Sequence, residues 1–454
     1  MGALGNVVYL NSVLLIYCSA VNSAMGIVSQ VFDERDYLNL GNISLFVIYL
    51  ASGINNLIAP TYVKKIQYKY IFVLSSLGYL FFLSEGILVC SCNDEYTYFY
   101  CRKPVIYSII VLGSAICGFL SSILYICQNE YTSENTNEQN KSLYFGIAWA
   151  LLQSSYIVGN VYSMFFIEPL GQFGYFLLMT GIASVTSLFF LFIQKPPKKQ
   201  QILDSDQVPI NQGSQSLIEK NENEQQYRQI LPADDQQQDF YSLPLGQQLK
   251  SMFNIMSQPD IRPLLFFMFS SGIIMSFGFG VLYRIVQDSL SSDLTDEQVN
   301  KKTFTVNIVL GCFEFFGGAF VTPLADRLNK KRIAISTNLL FEAAIIGSII
   351  AHYEKNYLLC FFVAALWGMT DCTTQSMNCN LISTKFGNDV RIFGIWNLVQ
   401  CVGAFIGMIF SIIFKQLNII YYLLVVAAIQ MITNVALSNF KLKNMSQSDK
   451  FHSE

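Results

Sequence analysis

Phe145-Gly146-Ile147-Ala148-Trp149-Ala150-Leu151-Leu152-Gln153 returns, one residue shorter, as Phe393-Gly394-Ile395-Trp396-Asn397-Leu398-Val399-Gln400. Each copy lies in a long apolar run. A second pair of landmarks repeats with them. Pro60 closes an apolar run ahead of Lys64, Lys65 and Lys69, and Pro323 closes another ahead of Arg327, Lys330, Lys331 and Arg332. The chain reads as a duplication, with one copy of each landmark in either half.

A helix needs roughly 20 mostly apolar residues to cross about 30 Å of hydrocarbon. Runs of that length bounded by charge fall at 7–31, 38–60, 70–90, 105–127, 142–167 and 174–193. A second set falls at 263–286, 304–324, 333–352, 357–378, 392–414 and 419–437. The repeated motif occupies the fifth and eleventh runs, which are equivalent when six helices are duplicated in parallel orientation. The sequence therefore predicts an all-α membrane protein of 12 transmembrane helices, with an N-terminal six-helix bundle over 1–193 and a C-terminal one over 263–440.

Between the halves, the linker 194–262 opens with a stretch rich in Gln, Asn, Asp and Ser that is too polar to bury a core, so disorder is expected there. Its last part differs. Leu245, Leu249, Met252, Phe253 and Met256 share a helical face opposite Gln247, Gln248 and Lys250, the pattern of a helix lying on a membrane surface. A polar tail covers 441–454.

Composition supports the membrane reading. With 52% hydrophobic and 13% charged residues over 454 positions, the chain has more apolar surface than a soluble core can hide. A net charge of −3 leaves no basic excess, so no nucleic-acid partner is implied. Basic residues are lopsided instead. Loops after even-numbered runs plus the tail hold 20 Lys and Arg, loops after odd-numbered runs hold 7, and Arg284 lies within the seventh run. The positive-inside rule then puts the linker and both termini in the cytoplasm, without distinguishing plasma from endolysosomal membrane. Residues 1–6 carry no Lys or Arg and the first run is a full span long, so no cleavable signal is expected. The 11 cysteines fall mostly inside helices, and His352 and His452 stand apart, so no metal, redox motif or cofactor is expected. No nucleophile with a base and no phosphate loop is evident, which points away from an enzyme.

Gly318-Ala-Phe-Val-Thr-Pro323-Leu-Ala-Asp326-Arg327-Leu-Asn-Lys330-Lys331-Arg332 resembles the cytoplasmic loop signature of the major facilitator superfamily. An acid at a helix end among basic residues can bridge adjacent helices and hold one gated state, a role assigned here to Asp326, Arg327, Lys330 and Lys331. A plain positive-inside anchor is the alternative. In the first half Lys64 stands where the acid would be, and that copy is expected to lack the latch.

More extended stretches are similar to the Unc-93-like family within that superfamily. They are Leu40-Gly41-Asn42-Ile-Ser-Leu-Phe-Val-Ile-Tyr49 with Ala59-Pro60 and Val63; Gln128 with Tyr131-Thr-Ser-Glu-Asn135; Tyr144 through Ser155 with Gly159-Asn160; and Trp367-Gly368-Met-Thr-Asp371 with Gln375. Gln67 departs from the glycine usual in that family's loop. The resemblance implies the major facilitator fold and leaves function open. Members are described as a channel's regulatory subunit, a trafficking partner for receptors, or orphan carriers. The first expectation is thus a regulatory or trafficking subunit partnered with an ion channel or receptor. The second is a secondary transporter of a small organic solute.

Ionisable groups inside a bilayer are costly and each asks for a reason. Here they are Glu85, Glu314, Glu342 and Asp371, with Arg284 near one end of its run. Trp367, Asp371, Thr374, Gln375 and Asn378 recur at helical spacing and make one polar face. The resemblance places spans one, four, seven and ten around a central cavity. Span one offers Ser12, Ser19, Ser23 and Gln30 with Asn11 and Asn22 beside them, and span four offers Gln128. Span five presents Trp149, Gln153, Tyr156 and Asn160, and span eleven presents Trp396 and Gln400. These predict a water-accessible chamber; hydrogen bonding between packed helices is the alternative. The stripe Asn307, Gly311, Glu314 and Gly318 predicts close packing around a buried acid, and Glu85 and Glu342 read as structural. Cys92 and Cys101 form a disulfide or stay free thiols, with Cys90 competing. Asn42-Ile-Ser44 reads as a packing asparagine rather than a glycosylated one, and Tyr227-Arg-Gln-Ile230 looks like a tyrosine sorting signal.

Overall fold

The computed structural model describes residues 2–92, 98–137, 139–197, 240, 243–291, 293–387, 389–416 and 419–441. Most of the polar linker, the sorting-like Tyr227–Ile230 segment and nearly all of the tail lie outside these residues. Among the described residues, ten helices are long and apolar enough to cross a membrane. Spans one to four are Ala3–Glu34, Leu40–Ile58, Tyr68–Cys90 and Lys103–Glu134. Spans five and six run as one element, Lys141–Phe189, folded back at Gly171. There φ is +63° and ψ is 171°, a conformation open to glycine, and Pro169 precedes it.

Span seven departs from the expected single helix. It consists of Arg262–Ser276, a wide π-type turn at Phe277–Val281 and Leu282–Asp288. Span eight, Asp296–Phe316, carries a similar turn at Gly317–Val321 and ends in the short helix Leu324–Arg327. Spans nine to twelve are Lys330–Glu354, Tyr357–Phe386, Val390–Gln416 and Ile419–Asn439. Twelve crossings result, counting the folded element twice and the interrupted span once.

The duplication is visible in the packing. Within the halves, span four packs on spans two and three, and span ten packs on spans eight and nine. Between them, span two meets span eleven and span eight meets span five, equivalent pairs under the repeat. The glycine of each repeated motif sits at these crossings. A Cβ on Gly394 would lie 2.5 Å from Pro60 Cγ, and one on Gly146 would lie 2.4 Å from Gly318 O and 3.3 Å from Pro323 Cδ. The Phe-Gly motif and the proline landmark of opposite halves thus touch.

The linker leaves span six and enters span seven on one side of the bundle, the linker side. The helix predicted for the membrane surface is present as Leu245–Ser257 and packs against spans two, seven and eleven. Met252 is buried there, while Leu245 and Phe253 are exposed. Gln248, expected on the polar face, is instead buried and donates to the Leu243 carbonyl at 2.7 Å. The helix turns partly toward the bundle, so its buried edge includes an amide whose nitrogen is paired and whose oxygen is not.

Candidate functional site

Spans five and eight meet in register. A Cβ on Gly318 would press on Ala150 Cβ at 2.8 Å, and one on Gly311 on Ile157 Cγ1 at 2.7 Å. Midway between these contacts, Glu314 of span eight faces Gln153 of span five. The small residues bring the backbones close, so the two long polar side chains must meet.

Gln153 Nε2 donates to Glu314 Oε1 at 3.4 Å and to Asp371 Oδ2 at 3.3 Å, so one amide from the first half bridges two carboxyls of the second. Gln375 Nε2 donates to Asp371 Oδ1 at 3.1 Å, and Gln400 Nε2 donates to Gln375 Oε1 at 2.8 Å. The repeat-related Gln153 and Gln400 therefore belong to one hydrogen-bonded string that ties spans five, eight, ten and eleven.

Two spaces flank this string. The larger, about 900 Å³, extends toward the side opposite the linker, and its lining includes Asn22, Asn160, Trp367, Asp371 and Glu314. Nearer that far side Asp33, Glu34, Arg284 and Asp288 contribute. The smaller, about 90 Å³, is lined by Tyr49, Tyr125, Trp149, Gln153, Gln375 and Gln400 among others. Asn22, Met25, Tyr156 and Met275 border both.

Below the smaller space the halves touch. Trp149 Nε1 donates to Cys379 Sγ at 3.3 Å, and Cys379 Sγ donates to Asn129 Oδ1 at 3.2 Å. Ser133 and Ser383 hydroxyls lie 2.8 Å apart, Lys141 Nζ donates to the Ser383 carbonyl at 3.0 Å, and Asn380 reaches Ser142. The Asp326 carboxylate accepts from Ser142 N at 3.0 Å and Leu143 N at 2.9 Å. These are orphan donors in the first turn of span five, so an acid of the second half caps a helix of the first. The cavity is open toward the far side and closed toward the linker.

Most of the residues expected in the chamber meet there: Asn22, Trp149, Gln153, Asn160, Asp371, Gln375 and Gln400. Trp367 reaches the larger cavity only at its edge. It stacks on Phe277 with ring centroids 3.5 Å apart and donates to Ser348 Oγ at 3.0 Å. Two expectations need correction. Gln128 is buried in the first half, donating to Asn11 Oδ1 at 2.8 Å, and lines neither space. Trp396 is fully buried against Trp149, edge to face at 5.8 Å, and lies beneath the chamber rather than in its wall.

The loop residues divide as well. Arg327 is exposed, Lys330 Nζ donates to Thr384 Oγ1 at 2.9 Å, and Lys331 reaches the Ser438 carbonyl. In the first half Lys64 pairs with Glu130 at 2.8 Å and Glu134 at 3.2 Å of its own bundle. Burial works against the Lys64 charge, yet the two carboxylates outweigh it and hold the ammonium above the usual lysine value.

Glu85 accepts from Ser114 at 3.2 Å and Glu342 from Asn434 at 2.7 Å, both away from these spaces. Cys92 and Cys101 are disulfide-bonded, and Cys90 is free. Asn42, read as a packing residue, is exposed at the rim of the larger cavity, where it accepts from Ser29 Oγ at 3.0 Å. Tyr49, Ser52 and Asn56 of span two line the smaller space, and their helical spacing in the sequence was the signal that could have placed them there.

Two six-helix halves around a central polar chamber are the architecture of a facilitator-type membrane carrier. The chain belongs to the Major Facilitator Superfamily, whose sequence profile matches residues 13–408. It is similar to UNC93-like protein MFSD11 of Xenopus laevis, at 27% identity over 204 residues covering 44% of this chain and 40% of the relative. Its counterpart in Xenopus tropicalis matches at 26% over 183 residues, 38% of this chain and 37% of the relative. Each match thus spans well under half of the relative's length.

In fold, the chain resembles the crystal structure of a bacterial homologue of the iron transporter ferroportin in its outward-facing state. The TM-score is 0.65 at 9% identity, covering 97% of this chain and 99% of that one. The same homologue with soaked iron gives 0.64 at 10%, covering 96% and 98%. At such identity the likeness is one of fold.

Proposed function

We propose that this protein is a secondary carrier that moves a small polar solute by alternating access, with the far-side-open arrangement as one of its two end states. One observation carries the reading. The cavity descends from the far side to a carboxyl pair, Glu314 and Asp371, bridged by an amide from the other half, and the path stops where the halves close on the linker side. A site held jointly by both halves is disturbed when they rock, which couples binding to the change of access. Two carboxyls on one amide repel when both are charged, so a cation or proton entering between them stabilises the site.

The 20-to-7 distribution of basic residues supports placing the linker side in the cytoplasm. The resemblance to UNC93-like proteins also suggests a channel-regulatory or trafficking subunit, with an ion channel or receptor as partner. That role needs packed outer surfaces rather than a chamber reaching the bundle's middle, so the geometry favours the carrier.

Reconstituted liposomes incubated with a cell metabolite extract test the reading, with mass spectrometry of their contents. Liposomes with the wild-type chain are expected to accumulate at least one small polar solute that Asp371→Asn liposomes and empty ones do not. Identical contents in all three would overturn it.

A further inference from the structure

We infer, resting on the carrier reading above, that the solute is an organic cation, a protonated amine or quaternary ammonium, received between the Glu314–Asp371 pair and the tyrosines of the chamber. The charged residues lining the cavity are Asp33, Glu34, Arg284, Asp288, Glu314 and Asp371. The single base among them, Arg284, lies 4.0 Å from Asp288. An anion entering this space meets mostly like charge, and a cation meets attraction down to the floor.

The floor carries a second, independent sign. Glu314 is 1% exposed and lines the cavity; Oε1 is held by Gln153, while among the described residues Oε2 accepts from no amide, hydroxyl or basic group and has the Asp371 carboxyl as its acidic neighbour. A buried carboxyl oxygen without a donor is costly, and an ammonium N–H is the donor that best suits it.

The chamber walls distinguish an organic cation from a metal ion. Tyr156 borders both spaces one helical turn from Gln153, and Tyr49, Tyr79, Tyr125 and Trp149 surround the smaller one. Aromatic faces attract alkylammonium groups and shelter their apolar substituents. Among the described residues, the side-chain amides that donate to the carboxyls are those of Gln153 and Gln375. Among the described residues, no group of three or more His, Cys, Asp and Glu side chains is placed to hold a metal.

The test reads binding to the purified full chain. Its 3 tryptophans are Trp149 and Trp367 at the cavity and Trp396 against Trp149, so intrinsic fluorescence reports occupancy. Phenethylamine and tetraethylammonium serve as cations, 2-phenylethanol as the neutral isostere, phenylacetate as the anion, and manganese ion as the metal. At least one cation is expected to quench fluorescence saturably and raise the unfolding temperature. The neutral and anionic probes are expected to bind about tenfold more weakly or worse, the loss of one close charge contact.

Asp371→Asn and Glu314→Gln are each expected to weaken cation binding by a similar factor. Should either variant fail to fold, the comparison of probe charges on the wild-type chain decides alone. The inference is overturned if phenylacetate or phenylethanol binds as tightly as the amines, if manganese alone gives the response, if no probe binds, or if both variants bind cations like the wild type. A chain that alternates but prefers anions overturns this inference and leaves the carrier reading. A chain that binds amines but never opens its linker side does the reverse.

Discussion

Gly118→Leu and Gly368→Leu are each expected to leave almost no folded protein, whereas Gly181→Leu leaves recovery and unfolding temperature near wild type. A Cβ on Gly118 of span four would lie 2.1 Å from the Ile48 carbonyl of span two. One on Gly368 of span ten would lie 2.1 Å from the Leu310 carbonyl of span eight. The obstacle is backbone in both cases, so no rotamer change relieves it, and the helices must separate along their length. Overpacking of this kind costs about 3 kcal/mol or more, a large share of a typical domain's stability. A Cβ on Gly181 of span six would have no atom of a packed neighbour within 4 Å, so added bulk there meets open space. Fluorescence-detected size exclusion and thermal unfolding in detergent check all three. A folded Gly368→Leu chain with an unshifted transition would mean that spans eight and ten are not packed as described.

Asp326→Ala is expected to shift the chain toward a state open on the linker side. The carboxylate accepts from two backbone amides at the start of span five, Ser142 N and Leu143 N, and so joins the halves across that side. Charge-assisted bonds at a helix N-terminus are worth about 2 kcal/mol together, which corresponds to roughly a thirtyfold change in the balance between the two states. Asp326→Asn keeps one acceptor oxygen and loses the charge, so its shift should be smaller. Spin labels at Lys65 and Arg332, exposed positions of opposite halves, read the change as a longer-distance population in pulsed dipolar spectroscopy. Indifference of that distribution to both substitutions would reduce Asp326 to a local cap.

The fold was legible because its evidence is periodic. Span length, charge between spans and the repeated Phe-Gly-Ile motif each survive without knowledge of neighbours. Hydropathy could not reveal the break in span seven, since Phe277–Val281 is equally apolar as a regular helix or a wide turn. The site was legible by face and less so by partner. The family resemblance points to Gln128 and the repeated motif to Trp396 as inward residues, but inward covers both the chamber and the helix packing around it. Gln128 found Asn11, and Trp396 found Trp149.

Glu314 joins packing and polarity in one stripe. Its spacing with Gly311 and Gly318 predicts packing around a buried acid, and the glycines do pack. Close packing is what delivers the acid between them to Gln153. Lys64 likewise stands in the sequence where the latch acid would be, and in the fold it pairs with Glu130 and Glu134 within its own half.

Alternation between two end states is most directly tested by locking one of them. Ser133 and Ser383 face each other across the linker side with hydroxyls 2.8 Å apart, close enough for a Ser133→Cys, Ser383→Cys pair to be oxidised to a disulfide. The measurement is the Lys65 to Arg332 label distance in liposomes, before oxidation, after oxidation and after reduction. The expected result is a longer-distance population that disappears when the disulfide forms and returns when it is reduced. A single distribution, unchanged by locking and unlocking, would contradict the claim that the two halves of this chain alternate around the shared carboxyl site.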